Sequence, residues 1–274
     1  MLLLFVASMA AGMLGALVGL GGGVLIVPLL TLGFNLDIRL AIGASIVCVI
    51  ATSSGAGAAL LRDRITNYRI GTFLEVATTV GAITGASIAP HLPVRALSIL
   101  FGVILLGSIA PTLKKLGGES TAPTHDDPIA ARLRLSGAYP DRQLGRDVTY
   151  KVTGSPLGLA LMYIAGVVSG LLGIGSGALK VLAMDTAMRL PIKVSTATSN
   201  YMIGVTAAAS AGIYFWRGDV LPMVAAPVAL GVLSGALLGA RFLVRFRGST
   251  VRIVFIAALS LVAVQMLLRG VGVL

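Results

Sequence analysis

The sequence has few of the residues on which soluble enzymes depend. Of its 274 residues only 11 % are charged and 5 % are aromatic, and it holds two histidines, His91 and His125, and one cysteine, Cys48. A single cysteine excludes an internal disulfide, and no His, Cys and carboxylate residues have metal-site spacing. The sequence Gly175-Ser-Gly177 lacks the spacing of a nucleophile elbow, and no P-loop is present. We therefore expect no enzyme, no cofactor and no metal.

Apolar residues are abundant instead. They make up 57 % of the chain, with a mean hydropathy of +0.98. Several apolar runs reach about 20 residues, the length that crosses a bilayer as a helix. The net charge of +11 lies almost wholly between these runs, where basic residues orient a membrane protein. These features predict an all-α, polytopic membrane protein in a lipid bilayer, and no nucleic-acid partner.

The chain divides into two membrane repeats joined by a polar segment. We predict a first repeat over residues 1–113, a solvated linker over 114–155 and a second repeat over 156–274. The linker is expected to hold a short helix near Pro128–Leu135 and no separate functional domain. The first 35 residues lack a basic start, so we expect mature structure there and not a cleaved signal peptide. The predicted apolar segments are Met1–Leu36, Ile38–Leu61, Ile70–Pro90, Val94–Leu113, Pro156–Arg189, Ile192–Trp216, Val220–Phe242 and Val251–Leu268.

Each repeat opens with an apolar segment that glycines interrupt, at Leu14–Pro28 and at Gly170–Val181. A constant offset of 154 residues aligns the two without gaps, which indicates an internal duplication. A slightly different offset aligns Gly81-x-x-x-Gly85 with Gly231-x-x-x-Gly235. Identical residues at the offset of 154 are Gly12/Gly166, Leu17/Leu171, Gly19/Gly173, Gly21/Gly175, Gly23/Gly177, Leu25/Leu179, Val27/Val181, Ile38/Ile192, Ser45/Ser199 and Thr52/Thr206.

Charge asymmetry bears on the orientation of the repeats. If each broken segment crosses the membrane once, the connections hold 12 Lys and Arg on the linker side and 8 on the other. If each is a hairpin, the linker side holds 16 and the other side 4, namely Arg39, Arg95, Arg217 and Arg269. The positive-inside rule favours the hairpin. Each repeat then crosses an odd number of times, so the repeats are expected to be inverted, with the linker in the cytoplasm.

The glycine breaks predict a ligand site. Irregular backbone inside a membrane is tolerated where it is buried or lines a wet cavity, and a helix N-terminus after a glycine turn favours an anion. Inverted repeats would bring Gly21, Gly22 and Gly23 close to Gly175-Ser176-Gly177. The alternative is that the glycines only allow helices to cross closely.

Lys180 supports an anion site, because it lies in an apolar run where its repeat counterpart is Ile26. A lysine inside the membrane costs about 2.5–3.5 kcal/mol unless it is paired or faces water. The alternatives are snorkelling, or pairing with Asp185. Glu75 is a weaker candidate, for ion coupling, and we expect it near a membrane interface.

Polar side chains that follow the breaks complete the candidate site. They are able to donate to an oxyanion, although Ser and Thr in membrane helices often bond their own backbone. They are Ser45, Thr198, Ser199 and Asn200.

These motifs resemble the TauE/SafE family of sulfite-exporter-type permeases. The resemblance rests on Gly19–Pro28, Gly173–Gly177, Ala41–Ser45 and Ser195–Asn200. It implies a bacterial-type inner-membrane transporter of a small anion, typically a sulfur oxyanion or organosulfonate such as sulfite, thiosulfate or sulfoacetate. The second motif departs from the first, with Ser176, with Lys180, and with Leu182 in place of proline.

The leading hypothesis is therefore a secondary transporter that works by alternating access, with the site between the two broken segments. No ATP-binding motif is present, so a gradient of protons or sodium would drive it. An uncoupled, channel-like anion facilitator on the same repeats is the alternative, and a non-transporting membrane scaffold is a third class. Substrate, direction, coupling ion and assembly into a homo-oligomer stay open at this stage.

Overall fold

A computed structural model describes residues 2–18, 23–62, 65–114, 125–141, 146–243 and 248–272. This part of the chain is almost wholly helical, which confirms the all-α prediction apart from one two-stranded hairpin. The helices are α1 (Leu2–Val18), α2 (Gly23–Pro28), α3 (Ile38–Arg62), α4 (Tyr68–Ile88), α5 (Val94–Lys114), α6 (Pro128–Leu133), α7 (Ser155–Leu172), α8 (Gly177–Thr186), α9 (Ile192–Trp216), α10 (Pro222–Leu243) and α11 (Gly248–Val271). A π-helical turn, Leu29–Gly33, follows α2, and a 3₁₀ turn, Ala89–His91, follows α4.

Two helical stretches within the described residues are long and apolar enough to cross a bilayer. They are Tyr68–His91 and Ser155–Leu172. The remaining apolar helical stretches there are shorter, between 10 and 17 residues.

The two repeats pack on each other reciprocally. Helix α1 of the first packs on α10 of the second, and α7 of the second packs on α4 of the first. Helices α3 and α9 pack together, as do α5 and α11. This exchange pairs equivalent elements, as an internal duplication predicts.

Glycines make the two crossings close. Gly12 lies against the backbone of Val232, and its repeat counterpart Gly166 lies against the backbone of Thr78. The two Gly-x-x-x-Gly pairs supply the facing surfaces, because small residues let helix backbones approach.

The segment from α7 to α8 folds back on itself. Gly173, Gly175 and Ser176 have φ of 64°, 71° and 45°, the left-handed region that turns a chain sharply. The backbone N–H of Thr153, just before α7, donates to Met188 O, just after α8, at 3.4 Å. Both ends of the segment therefore lie at the same end of the helical bundle, called here the linker end.

The four arginines of the hairpin interpretation lie at the opposite end, called here the arginine end. Arg39 donates to the carbonyls of residues 90 and 92, each at 3.2 Å, and Arg217 donates to the carbonyl of residue 86 at 3.3 Å. Arg269 donates to the carbonyl of residue 31, and the backbone of Arg95 lies beside residue 270.

The described part of the linker has more structure than the sequence predicts. The expected short helix is present as α6, and it is followed by β1 (Gly137–Asp141) paired antiparallel with β2 (Arg146–Tyr150). Tyr139, Tyr150 and Leu135 are buried in a small core that joins the helical bundle. Asn67 fixes the linker to α4, since its amide donates to Leu135 O at 2.8 Å and to the Tyr150 hydroxyl at 2.7 Å.

Asp127 joins the linker to α7. Its carboxylate caps α6 by accepting from Ala130 N at 2.7 Å, and it also accepts from Ser155 N at 2.7 Å. Slight burial acts to raise the pKa of Asp127, but these hydrogen bonds outweigh it and lower the pKa. The linker is thus held on both neighbouring helices at the linker end.

The close crossing of α4 and α7 is testable with one methyl group. Gly170→Ala places its Cβ on the carbonyl oxygen of Ala82, and such overpacking costs about 1–3 kcal/mol in the free energy of unfolding. We expect a lower melting temperature in detergent. Gly212→Ala is the matched control, because a Cβ there meets no atom within 4 Å. Equal melting temperatures for the two variants would contradict the tight crossing.

Candidate functional site

The two glycine breaks meet at one serine of α3. The fully buried Ser45 places its Oγ 3.0 Å from Gly23 O and 2.9 Å from Gly173 O. One carbonyl belongs to each repeat, and the single hydroxyl hydrogen has both within reach. Ser45 therefore holds the first break against the second.

The second repeat uses the same contact. Ser199, the counterpart of Ser45, donates to Gly177 O at 3.1 Å, and Gly177 is the counterpart of Gly23. The duplicated Gly and Ser positions thus form equivalent hydrogen bonds in the two halves. The hydroxyl hydrogens of both serines are directed at backbone carbonyls, so the two side chains position the breaks.

The N-terminus of α8 is rich in donors. A helix leaves its first N–H groups without intrahelical partners, and α8, ten residues long, begins directly after the left-handed turn. Ser176 precedes it, 3 % exposed, and its hydroxyl has no hydrogen-bond partner among the described residues. A Cβ at Gly175 or Gly177 would lie 2.9 or 2.7 Å from the side chain of Ile203, so glycine keeps space beside this helix start.

Lys180 lies one turn further along α8 and is fully buried. Its Nζ donates to Thr206 Oγ1 at 2.5 Å, and that hydroxyl lies 2.6 Å from Glu75 Oε1. Thr79 Oγ1 adds a longer bond of 3.3 Å to the same carboxylate oxygen. A threonine hydroxyl therefore links the lysine to a carboxylate on α4, where the sequence left snorkelling or Asp185 as the alternatives.

Glu75, which we expect near a membrane interface, lies within the helical bundle. Glu75 is 7 % exposed and contacts α9 inside the bundle. Its place on a mostly apolar helix was a usable signal, because an ionisable residue inside a membrane segment is functional by default. The sequence identified Thr206 as a member of a repeat pair and gave no sign of its contact with Lys180.

Thr198 and Asn200 are engaged elsewhere. Thr198 Oγ1 accepts from the backbone N–H of Asn67 at 3.2 Å, beside the linker. The Asn200 amide donates to Thr196 O at 3.1 Å, one turn back in its own helix. Both follow the break in sequence, but the helix turns them away from it. Gly21 and Gly22 lie outside the described residues.

The described residues contain no group of three or more His, Cys, Asp or Glu that could hold a metal ion.

The role of Ser45 can be tested by removing its hydroxyl. Ser45→Ala leaves the buried carbonyls of Gly23 and Gly173 without this donor, at a cost of about 1–3 kcal/mol. We expect a lower melting temperature in detergent. Ser54→Ala is the control, since exposed Ser54 bonds only Ile50 O of its own helix at 2.8 Å. If both variants have the same melting temperature, the Ser45 hydroxyl does not stabilise the two glycine breaks.

Comparison with known proteins agrees with this architecture. A family model described as "Sulfite exporter TauE/SafE" matches residues 4–266. "Probable membrane transporter protein YunE" of Bacillus subtilis (strain 168) is 26 % identical over 276 residues, covering 98 % of each chain. "Probable membrane transporter protein YdhB" of the same organism is 25 % identical over 243 residues, covering 88 % of this chain and 89 % of its own. No solved structure matches.

The family match confirms the resemblance found in the glycine motifs and extends it to nearly the whole chain. Both relatives carry the name of membrane transporters and not of enzymes. An integral membrane position in lipid, and a small substrate, follow from the family together with the apolar helices. The chain belongs to the TauE/SafE sulfite exporter family of membrane transporters.

Proposed function

We propose that the chain is a secondary transporter of a small anion, which binds between the two glycine breaks at the N-terminus of α8. The observation that carries the proposal is the buried hydroxyl of Ser176, which has no partner in the described structure. A buried hydroxyl without a partner costs free energy, and a bound oxyanion would satisfy it.

The hydrogen-bond inventory of the breaks favours an anion over a cation. Ser45 and Ser199 donate to break carbonyls, which are the groups a cation would use. The N–H groups that begin α8 and the Ser176 hydroxyl stay available as donors. Helix N-termini also carry a partial positive charge, and Lys180 adds a full one within a turn.

The substrate class we propose is a sulfur oxyanion or an organosulfonate, such as sulfite, thiosulfate or sulfoacetate. The family description supports it. The oxygens bonded to one sulfur atom present several hydrogen-bond acceptors on a compact group, which suits convergent N–H, O–H and ammonium donors.

We further propose that the two repeats are inverted in a bacterial inner membrane and move against each other in alternating access. Gly81 and Gly85 of α4 lie along Tyr163 and Val167 of α7, so these helices run parallel from the linker end. Helices α1 and α10 pair in the same parallel sense, with α10 starting after Arg217 at the arginine end.

Charge supports the same orientation. Four arginines lie at the arginine end, while the hairpin interpretation gives the linker side 16 Lys and Arg. The positive-inside rule then puts the linker in the cytoplasm.

The anion site is tested by ligand-induced thermal stabilisation of the purified protein. Thiosulfate, sulfite, sulfoacetate, phosphate, acetate and chloride are compared on wild type, Ser176→Ala and the control Ser87→Ala, whose exposed side chain bonds only Ile83 O at 2.8 Å. A ligand at 100 times its Kd stabilises by about 2.7 kcal/mol. Losing a hydrogen bond to an anion costs about 1.5–3 kcal/mol, so we expect Ser176→Ala to weaken Kd about 10- to 100-fold.

Three results would count against the proposal in different ways. Stabilisation by phosphate or acetate alone would overturn the substrate class. Equal affinity in wild type and Ser176→Ala would remove the site from the start of α8. Flux through reconstituted vesicles that does not saturate would favour the channel-like facilitator.

Orientation is tested by labelling single cysteines with a membrane-impermeant maleimide. Exposed positions are Met223, at the arginine end of α10, and Leu133, in the linker helix α6. We expect Met223→Cys to label in intact cells and Leu133→Cys only in inverted vesicles. Wild type is the control, because its single cysteine, Cys48, is buried. Labelling of Leu133→Cys in intact cells would contradict a cytoplasmic linker.

A further inference from the structure

A buried charge pair crosses three helices beside the glycine breaks. Lys180 of α8 and Thr206 of α9 are both 0 % exposed, and Glu75 of α4 is 7 % exposed. Thr206 Oγ1 accepts from the lysine at 2.5 Å and donates to Glu75 Oε1 at 2.6 Å. The second carboxylate oxygen, Glu75 Oε2, is buried and has no partner among the described residues. A structural ion pair would have both oxygens satisfied.

The fold itself does not require these charges. The repeat counterpart of Lys180 is Ile26, also fully buried, and the Gly-x-x-x-Gly alignment places Ala225, 3 % exposed, opposite Glu75. The counterpart of Thr206 is Thr52, which donates to Cys48 O of its own helix at 2.9 Å. The equivalent position, formed by Ile26 and Thr52 of the first repeat and Ala225 of the second, therefore carries no charge.

The geometry distinguishes between the two candidate coupling ions. Sodium would need several oxygen ligands, yet Thr206 Oγ1 already accepts from the lysine ammonium, whose charge repels a second cation. A proton needs only one lone pair, which Glu75 Oε2 offers.

Other ionisable groups on the packed helices lie further along them. Helix α7 carries Tyr163, α8 carries Asp185, and α9 carries Lys193, Tyr201 and Tyr214. The charge that acts electrostatically on Glu75 is that of Lys180.

Resting on the proposed anion site, we propose that Glu75, Thr206 and Lys180 form the coupling element of the transporter, and that the coupled ion is a proton carried by Glu75. With Glu75 ionised, the lysine and the carboxylate neutralise each other. When a proton from water bonds to a carboxylate oxygen, the pair changes from net zero to one positive charge. The Thr206 hydroxyl has a second acceptor ready, Met202 O at 2.9 Å.

The anion supplies the missing negative charge. Lys180 follows Ser176 by one turn, with its backbone N–H donating to Ser176 O at 3.0 Å. An anion at the start of α8 therefore lies one helical turn from the residue whose charge the protonated Glu75 no longer neutralises. Proton and anion consequently bind together and leave together, which is symport.

The test uses the full-length protein in proteoliposomes with radiolabelled thiosulfate as the probe. Two readouts are compared: accumulation driven by an imposed pH gradient, and exchange of thiosulfate at equal pH on both sides. Wild type is expected to show both. Glu75→Gln is expected to keep exchange and to lose the gradient-driven accumulation. Thr72→Val is the control, since exposed Thr72 on the same helix donates to Tyr68 O of its own helix at 2.8 Å.

Glu75→Gln leaves Lys180 charged and without its partner, which could itself impair folding. A second variant that removes both charges controls for this effect. The double variant Glu75→Gln, Lys180→Met imitates the uncharged equivalent position that holds Ile26 and Ala225. It is expected to melt no lower than Thr72→Val and to lose gradient-driven accumulation. A pair with a structural role alone would leave accumulation intact in this variant.

The outcomes separate this proposal from the one it rests on. If wild type exchanges thiosulfate with no response to the pH gradient, proton coupling fails and the anion transporter stands. Accumulation that persists in Glu75→Gln or in the double variant overturns the assignment of Glu75. If wild type neither exchanges nor accumulates thiosulfate, both proposals fail for this anion class.

Discussion

The structure depends on one requirement: backbone groups exposed by a broken helix must find partners away from water. Two hydroxyls meet it at the breaks. Ser45 reaches carbonyls of both breaks at 2.9 and 3.0 Å, and Ser199 repeats the contact to Gly177. Both serines follow a break on the next helix, so each repeat carries the residue that stabilises its own interruption. Because Ser45 also contacts Gly173, it joins the two repeats at their least regular point.

That requirement also sets the polarity of the site. Serine hydroxyls satisfy carbonyls of the breaks, whereas the first N–H groups of a helix have no partners within that helix. The left-handed turn at Gly173, Gly175 and Ser176 then directs the start of α8 into the bundle. A donor-rich, partly positive site is therefore a consequence of how the break is stabilised, and Lys180 strengthens a preference that the backbone already has.

Local pattern predicted much of this arrangement, and tertiary packing decided the rest. Ile192–Trp216 was predicted with its observed bounds, because Pro191 and Arg217 flank an apolar run. The equivalence of Gly12 and Gly166 in the two repeats also followed from the sequence. The contact between Glu75 and Lys180 through Thr206 was not predicted, because it depends on how α4 packs against α9, which no local pattern encodes. The linker strands were missed because their few apolar residues, such as Tyr139 and Tyr150, are buried in a core that they share with distant helices, which no local pattern encodes.

The duplication produces two equivalent junctions between the repeats, and a buried charge pair is present at one of them. Two equivalent halves supply two breaks and two serine contacts, but only the junction of α8, α9 and α4 carries a charge pair, with Lys180 from the second half and Glu75 from the first. A symmetric pair of charged clusters would double the desolvation cost without adding a second substrate site. Placing both charges at one junction leaves the equivalent junction, with Ile26 and Ala225, uncharged, so that the proposed change of protonation and of ligand is confined to one of the two junctions.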